Sequence, residues 1–269
     1  MLDKIAVFIF GSLAGSFLNV CIHRMPLGES VVRPRSHCPK CKKTIPWYDN
    51  VPFLSYLMLG GRCRFCKEKI PLRYFTVELL TAGVFLTFYQ RYGLSFDFIF
   101  YVIFSSALIV ATFVDINHRI IPDEVSLGGI ALGLLFNGMR GLHYRSFAYD
   151  WRPLINSFLG IIIGGGVIWL TGFLFDQVYF KLLKKGPIDG ETESMGFGDV
   201  KLLAMVGAFL GWPTALLTFF LAPFFAAVVG VINLIWKKSH TIPYGPFLSL
   251  AAFICVFWFN QILKLIFAR

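Results

Sequence analysis

Two carboxylates stand out because of the company they keep. Asp199 lies in Ser194-Met195-Gly196-Phe197-Gly198-Asp199-Val200-Lys201, at the mouth of a long apolar run. Asp115 closes another such run and is followed by Asn117-His118-Arg119-Ile120-Ile121-Pro122-Asp123. An ionisable group at the edge of hydrocarbon is costly, so it is a functional candidate by default. The glycines before Asp199 admit close approach of backbone or substrate. Taken singly, Asp115 reads as an interfacial charge that ends a helix, and Asp199 as an N-cap favoured by the helix dipole. Taken as a pair at one membrane depth, they can do chemistry. Two close carboxylates do not readily ionise together, so they hold one proton between them. One then accepts a proton from water while the other donates to a carbonyl oxygen. That is amide hydrolysis by general acid–base catalysis, with no covalent intermediate. Asp123, after Ile121-Pro122, reads as the cap of the next helix.

A second constellation is made of thiols. Cys38-Pro39-Lys40-Cys41 and Cys63-Arg64-Phe65-Cys66 are separated by 21 residues. Cys38, Cys41, Cys63 and Cys66 thus have the spacing of a structural zinc site with four thiolate ligands. A pair of disulfides is the rival, disfavoured in a reducing compartment. A redox motif needs one such pair, not two. Four protein ligands leave no open position, which assigns the metal to folding rather than catalysis. His37 reads as a bystander, and Cys21 and Cys255, inside apolar segments, as small buried side chains.

The elements that must carry these groups are membrane helices. The 269 residues are 57% hydrophobic and 17% aromatic, and several apolar runs reach bilayer-spanning length. The fold class is all-α and polytopic, with about eight transmembrane helices, at 5–22, 74–90, 96–114, 124–139, 154–175, 200–211, 214–236 and 245–267. The run at 200–211 is short enough to be a half-helix. The first run lacks a small-x-small cleavage site and leads into a basic segment, so it reads as a retained helix. Gly11 and Gly15 within it are spaced for close helix packing.

Residues 1–22 thus form the first helix, 23–73 a zinc-binding module, and 74–269 a transmembrane domain that holds both aspartates. The net charge of +10 reflects loops rather than a nucleic-acid surface. Eleven of the 25 Lys and Arg residues fall in 23–73. By the positive-inside rule that segment is cytoplasmic and the N-terminus is outside. Alternation then brings Asp115, Asp199 and the 176–198 loop to the cytoplasmic face. The expected partner is the lipid bilayer, with no nucleic acid. Oligomeric state has no sequence marker.

The motifs carry a resemblance. Asp115 through Asp123 is similar to the first catalytic motif of the bacterial type IV prepilin peptidases. Met195 through Leu202 resembles the second, the mark of the Gly-x-Gly-Asp membrane aspartic proteases. Gly11–Val20, Arg73–Thr81, Pro243–Phe247 and the four cysteines resemble further family segments, in order along nearly the whole chain. The resemblance implies that Asp115 and Asp199 are the catalytic pair. It implies removal of the basic leader of type IV prepilins or type II pseudopilins at the cytoplasmic face of the inner membrane. It also implies N-methylation of the new terminal residue with S-adenosylmethionine, since relatives without this second activity lack the cysteine module.

No glycine-rich fingerprint marks a methyl-donor site, so methyl transfer rests on the resemblance alone. A peptidase without methyl transfer stays open. So does a proton-coupled transporter, which would use membrane carboxylates as a relay, although no repeated halves are evident. A zinc-anchored scaffold would leave both aspartate motifs unexplained. Glu78, near the start of the second helix, reads equally as a ligand for the new ammonium group or as a packing residue. Asp189, Glu191 and Glu193 read as a solvated loop or as an attractor of a basic leader.

Overall fold

The structure, a computed structural model, describes residues 2–143, 150–182, 195–235 and 243–267. The acidic loop positions Asp189, Glu191 and Glu193 lie outside the described residues. Within them the chain is helical and has no strands. The helices are α1 (Leu2–Arg24), α2 (Leu54–Met58), α3 (Arg73–Tyr92), α4 (Phe96–His118), α5 (Asp123–His143), α6 (Arg152–Asp176), α7 (Phe197–Leu210), α8 (Trp212–Ile235) and α9 (Gly245–Phe267). Six of them, α1, α4, α5, α6, α8 and α9, are long and apolar enough to cross a bilayer. The expected count of eight is therefore not reached on length and composition. The other two expected segments do form helices, but α3 is less apolar than these six and α7 has only 14 residues.

The chain divides into two compact units, 1–110 and 111–269. In the first, α1 packs along α3. A Cβ on Gly11 would stand 2.9 Å from the Cα of Ala82, and one on Gly15 would stand 2.7 Å from the Cα of Glu78. Only glycine allows that approach, as the four-residue spacing predicts. Phenylalanines close the other side of α3, where Phe88 stacks on Tyr101 at 5.3 Å between ring centroids. Phe88, Phe100 and Phe104 are fully buried.

The segment between α1 and α3 is built from one motif used twice. Cys-x-x-Cys-Lys-x-x-Ile-Pro occurs at 38–46 and again at 63–71. In each copy the first cysteine's N–H donates to a carbonyl five residues on, Lys43 for Cys38 (3.0 Å) and Glu68 for Cys63 (2.8 Å). Its carbonyl accepts from the lysine after the second cysteine, Lys42 at 2.9 Å and Lys67 at 3.0 Å. Both lysines adopt the same left-handed φ of 58°. His37 bridges to Thr44 in the first copy as Arg62 does to Lys69 in the second. Each copy is a tight knuckle that turns two sulfurs to one side.

In the second unit α7 is the packed centre, with every residue from Leu202 to Phe209 buried. Its neighbours offer small residues on both sides. A Cβ on Gly160 of α6 would run into the carbonyl of Gly207, and one on Gly164 would lie 2.7 Å from the carbonyl oxygen of Leu203. Across α7, a Cβ on Gly133 of α5 would lie 2.8 Å from the Ala208 carbonyl carbon. A helix C-terminus leaves carbonyls unpaired, and a bilayer has no water for them. Here Ser157 Oγ donates to Ala208 O at 2.6 Å, and Asn137 Nδ2 donates to Ala208 O at 2.9 Å and to Phe209 O at 3.1 Å. Gly211, at φ 84°, ends the helix and hands the chain to α8. A 14-residue helix is stable here because protein, not lipid, surrounds it.

Candidate active site

Asp115 sits in the last turn of α4, one residue of that helix remaining beyond Asn117. It is 6% exposed. Its Oδ2 accepts the backbone N–H of Gly245, the first residue of α9, at 2.9 Å. A Cβ at position 245 would stand 2.8 Å from that same oxygen, so glycine is what lets the amide reach the carboxylate. Arg119, at φ 56°, then ends the helix with its N–H on the Asp115 carbonyl at 2.9 Å.

Asp199 stands in the first turn of α7, whose N-cap is Gly196. The Asp199 N–H donates to the Gly196 carbonyl at 3.0 Å, and no side chain caps the helix. The carboxylate is therefore free of the capping duty that its position suggested. It lies close enough to Asp115 for the two charges to interact. Ile121 packs between the arms of the site, 3.2 Å from where a Cβ of Gly198 would be and 3.3 Å from where one of Gly245 would be. The structure thus brings together both sequence-predicted aspartates and both motif glycines. Tyr244, from the Pro243–Phe247 segment, joins them, though its spacing from the aspartates gave no sign of it. Burial, with the Asp199 charge adding to it, pushes its phenol up to about 12, so it remains an O–H donor beside the pair.

Asp123 is not the cap that the sequence suggested. It is the first residue of α5, and its Oδ1 pairs with Lys201 Nζ at 2.5 Å. Lys201 also lies over the Phe197 ring, 5.0 Å from its centroid. This exposed pair ties the start of α5 to the start of α7.

In the first unit the ligand atoms of Cys38, Cys41, Cys63 and Cys66 all lie within 4.8 Å of one another. A tetrahedron with metal–sulfur bonds of 2.3 Å has edges of about 3.8 Å. Cys38 Sγ and Cys66 Sγ are 3.7 Å apart, and none of the four is in a disulfide. The donor set and the two knuckles fit a metal of the zinc type. Flanking charges brace the module. Arg64 grips Asp49 with two bonds of 2.6 Å each, which holds the Asp49 carboxyl below the usual range, and Lys40 pairs with Glu68. Cys21 and Cys255, at 4% and 1% exposed, are the buried side chains expected of them.

The same unit holds a cavity of about 430 Å³ between α1, α3 and the cysteine module. That volume suits a cofactor-sized ligand. Ser16, Asn19, His23 and Glu78 of the two helices line it together with Asp49 and Phe65 of the module.

A polytopic helical membrane protein whose buried Asp115 interacts with the half-buried Asp199 beside a glycine-bounded helix start carries, by class, the groups of a hydrolytic membrane enzyme. Two family models match the chain: the bacterial peptidase A24 N-terminal domain over residues 9–92 and the type IV leader peptidase family over residues 102–231. The chain is 32% identical to the prepilin leader peptidase/N-methyltransferase of Pseudomonas aeruginosa, over 97% of this chain and 92% of that one. It is 33% identical to the protein of that name from Neisseria gonorrhoeae, over 91% of this chain and 87% of the relative. With the one from Myxococcus xanthus it shares 34% identity over 87% of this chain, which spans 64% of that longer relative. No solved structure matches. The chain belongs to the type IV leader peptidase family.

Proposed function

We propose that this protein removes the leader peptide of type IV prepilins or type II pseudopilins and then N-methylates the new terminal residue. The observation that carries the first step is the pair of Asp115 and Asp199, with Asp115 pinned by the Gly245 amide. In this mechanism one proton is shared between the two carboxylates. The ionised member takes a proton from water, and the protonated member gives one to the scissile carbonyl oxygen. The tetrahedral intermediate collapses as the proton passes to the leaving nitrogen. Tyr244, an O–H donor that feels the Asp199 charge, steadies the oxyanion in this mechanism. The start of α7 adds the positive end of its dipole.

The cysteine module holds zinc through Cys38, Cys41, Cys63 and Cys66, and its role is structural. S-adenosylmethionine supplies the methyl group, and the cavity beside the module has room for it. Both activities work at the cytoplasmic face of the inner membrane, with the N-terminus outside, a reading that the basic loops support. Residues 23–73 serve methyl transfer and 74–269 the peptidase. The test is incubation of the purified enzyme with a prepilin, with and without S-adenosylmethionine, followed by mass spectrometry. Loss of the leader mass supports the peptidase over a transporter, and one added methyl group supports the second activity. An unchanged prepilin mass would sink the reading.

A further inference from the structure

Glu78 has no evident business where it is. It lies in the second turn of α3, five residues below Arg73, and is 8% exposed. A buried carboxylate needs a cation or donors. Among the described residues no cation pairs with it. Its Oε2 accepts one backbone N–H, from Phe53 at 3.1 Å, and the Ser16 hydroxyl lies within hydrogen-bonding reach. Phe53 reaches it from a left-handed φ of 59°, a costly backbone for that residue. Next to it is Asn19, 1% exposed, which donates to the Tyr74 carbonyl at 3.0 Å but whose Oδ1 has no partner. Ser16, Asn19 and Glu78 all line the 430 Å³ cavity. Gly15 exists to let the Glu78 backbone this close to α1. The result is a buried, acceptor-rich floor with a net negative charge and an unfilled carbonyl. That is the chemistry of a receptor for a primary ammonium group.

We propose that this floor binds the terminal ammonium of the cleaved pilin, with Glu78 as its ion partner and proton acceptor, and that the methyl donor occupies the cavity between the floor and the cysteine module. The inference rests on the methyltransferase reading above. Depth supports the division of the cavity. Glu78 and Asn19 each lie five residues from a helix end at the module, about 7 Å into the helical layer at 1.5 Å per residue. A pilin whose apolar helix stays in the bilayer presents its amine at that level, whereas a water-soluble donor comes from the module side. The step balances. Glu78 takes a proton from the ammonium, and the amine lone pair attacks the methyl carbon of the sulfonium. The sulfur–carbon bond breaks, its electrons stay on sulfur, and a neutral thioether leaves. The product leaves as the N-methylated ammonium, and Glu78 returns its proton to water.

The test compares full-length wild-type enzyme and Glu78→Gln in nanodiscs. Binding of a cleaved pilin with a free amine is measured by fluorescence anisotropy against the same pilin with its amine acetylated. Methyl incorporation from labelled S-adenosylmethionine is measured in parallel. Wild type should favour the free amine by about tenfold, the worth of one charged hydrogen-bonded contact, and Glu78→Gln should bind both pilins alike. Methyl incorporation should fall in the same variant. Bound zinc and thermal midpoint report whether it folds. Should it not, Asn19→Ala provides the second reading and should narrow the preference severalfold. A methylating wild type whose folded variants keep the full preference overturns the proposal alone. A wild type that transfers no methyl group to cleaved pilin overturns the methyltransferase reading, and the proposal with it.

Discussion

At Asp115 a buried carboxylate accepts a glycine amide and faces the half-buried carboxylate of Asp199. Replacing either aspartate by asparagine keeps the volume and removes the proton that the proposed mechanism shares between them. Asp115→Asn and Asp199→Asn are each expected to abolish leader removal while insertion and folding persist. Mass spectrometry of prepilin treated with each purified variant checks this, and substantial cleavage by either would remove that residue from the pair. Asp123→Asn should cost far less, because its partner is Lys201 on an exposed surface, where an ion pair is worth about 0–1 kcal/mol. Gly245→Ala is the subtler change. The new methyl would sit 2.8 Å from Asp115 Oδ2, nearer than real contacts allow, so the carboxylate must move off the amide that orients it. A displacement of that size should lower kcat on the order of a hundredfold with KM little changed. Steady-state kinetics on a prepilin decides it, and a wild-type kcat would mean that the Gly245 amide does not position the dyad.

The helix that carries Asp199 owes its existence to its neighbours. Fourteen residues cannot span hydrocarbon, and α7 persists because α5 and α6 close over it and satisfy its last carbonyls. Asn137→Leu would leave the Phe209 carbonyl without its side-chain donor and Ala208 with Ser157 alone. The expected loss is about 1–3 kcal/mol. A lowered thermal midpoint in detergent checks it, and an unchanged midpoint would show that α7 does not depend on this bond. Here the limits of sequence reading have a physical cause. The aspartate and cysteine motifs are legible because their chemistry is written in adjacent residues. The repeat of Cys-x-x-Cys-Lys-x-x-Ile-Pro at 38–46 and 63–71 was equally available as a signal for two alike knuckles. Gly160 and Gly164 carry a helix-contact spacing, but nothing names α7 as their target. Asn137, Ser157 and Tyr244 act through residues 71 or more, 51 and 45 places away, and such pairings have no local mark. All eight expected segments form helices, but α3 is too polar and α7 too short to count as spans on length and composition alone.

Over the whole chain the thiols and the acceptor-lined cavity lie in one compact unit and the aspartates in the other, and the proposed function divides its two reactions between them. Methyl transfer needs a free amine, and only cleavage creates it, so the reactions must run in that order on a prepilin. Asp199→Asn should therefore fail to methylate an uncleaved prepilin yet methylate a pilin supplied already cleaved. Changing Cys38, Cys41, Cys63 and Cys66 together to serine should do the reverse. Without four thiolates the knuckles lose the metal that joins them, and a segment this short has little core to replace it. The cavity wall would be lost with it. The quadruple variant should carry no zinc by elemental analysis, against one per chain in the wild type. It should keep much of its leader cleavage and lose methyl incorporation into pre-cleaved pilin. Full methylation by a zinc-free variant would show that the module does not shape the transfer site. No incorporation by a well-folded Asp199→Asn enzyme would show that the two activities share groups, and the division between the units would fall.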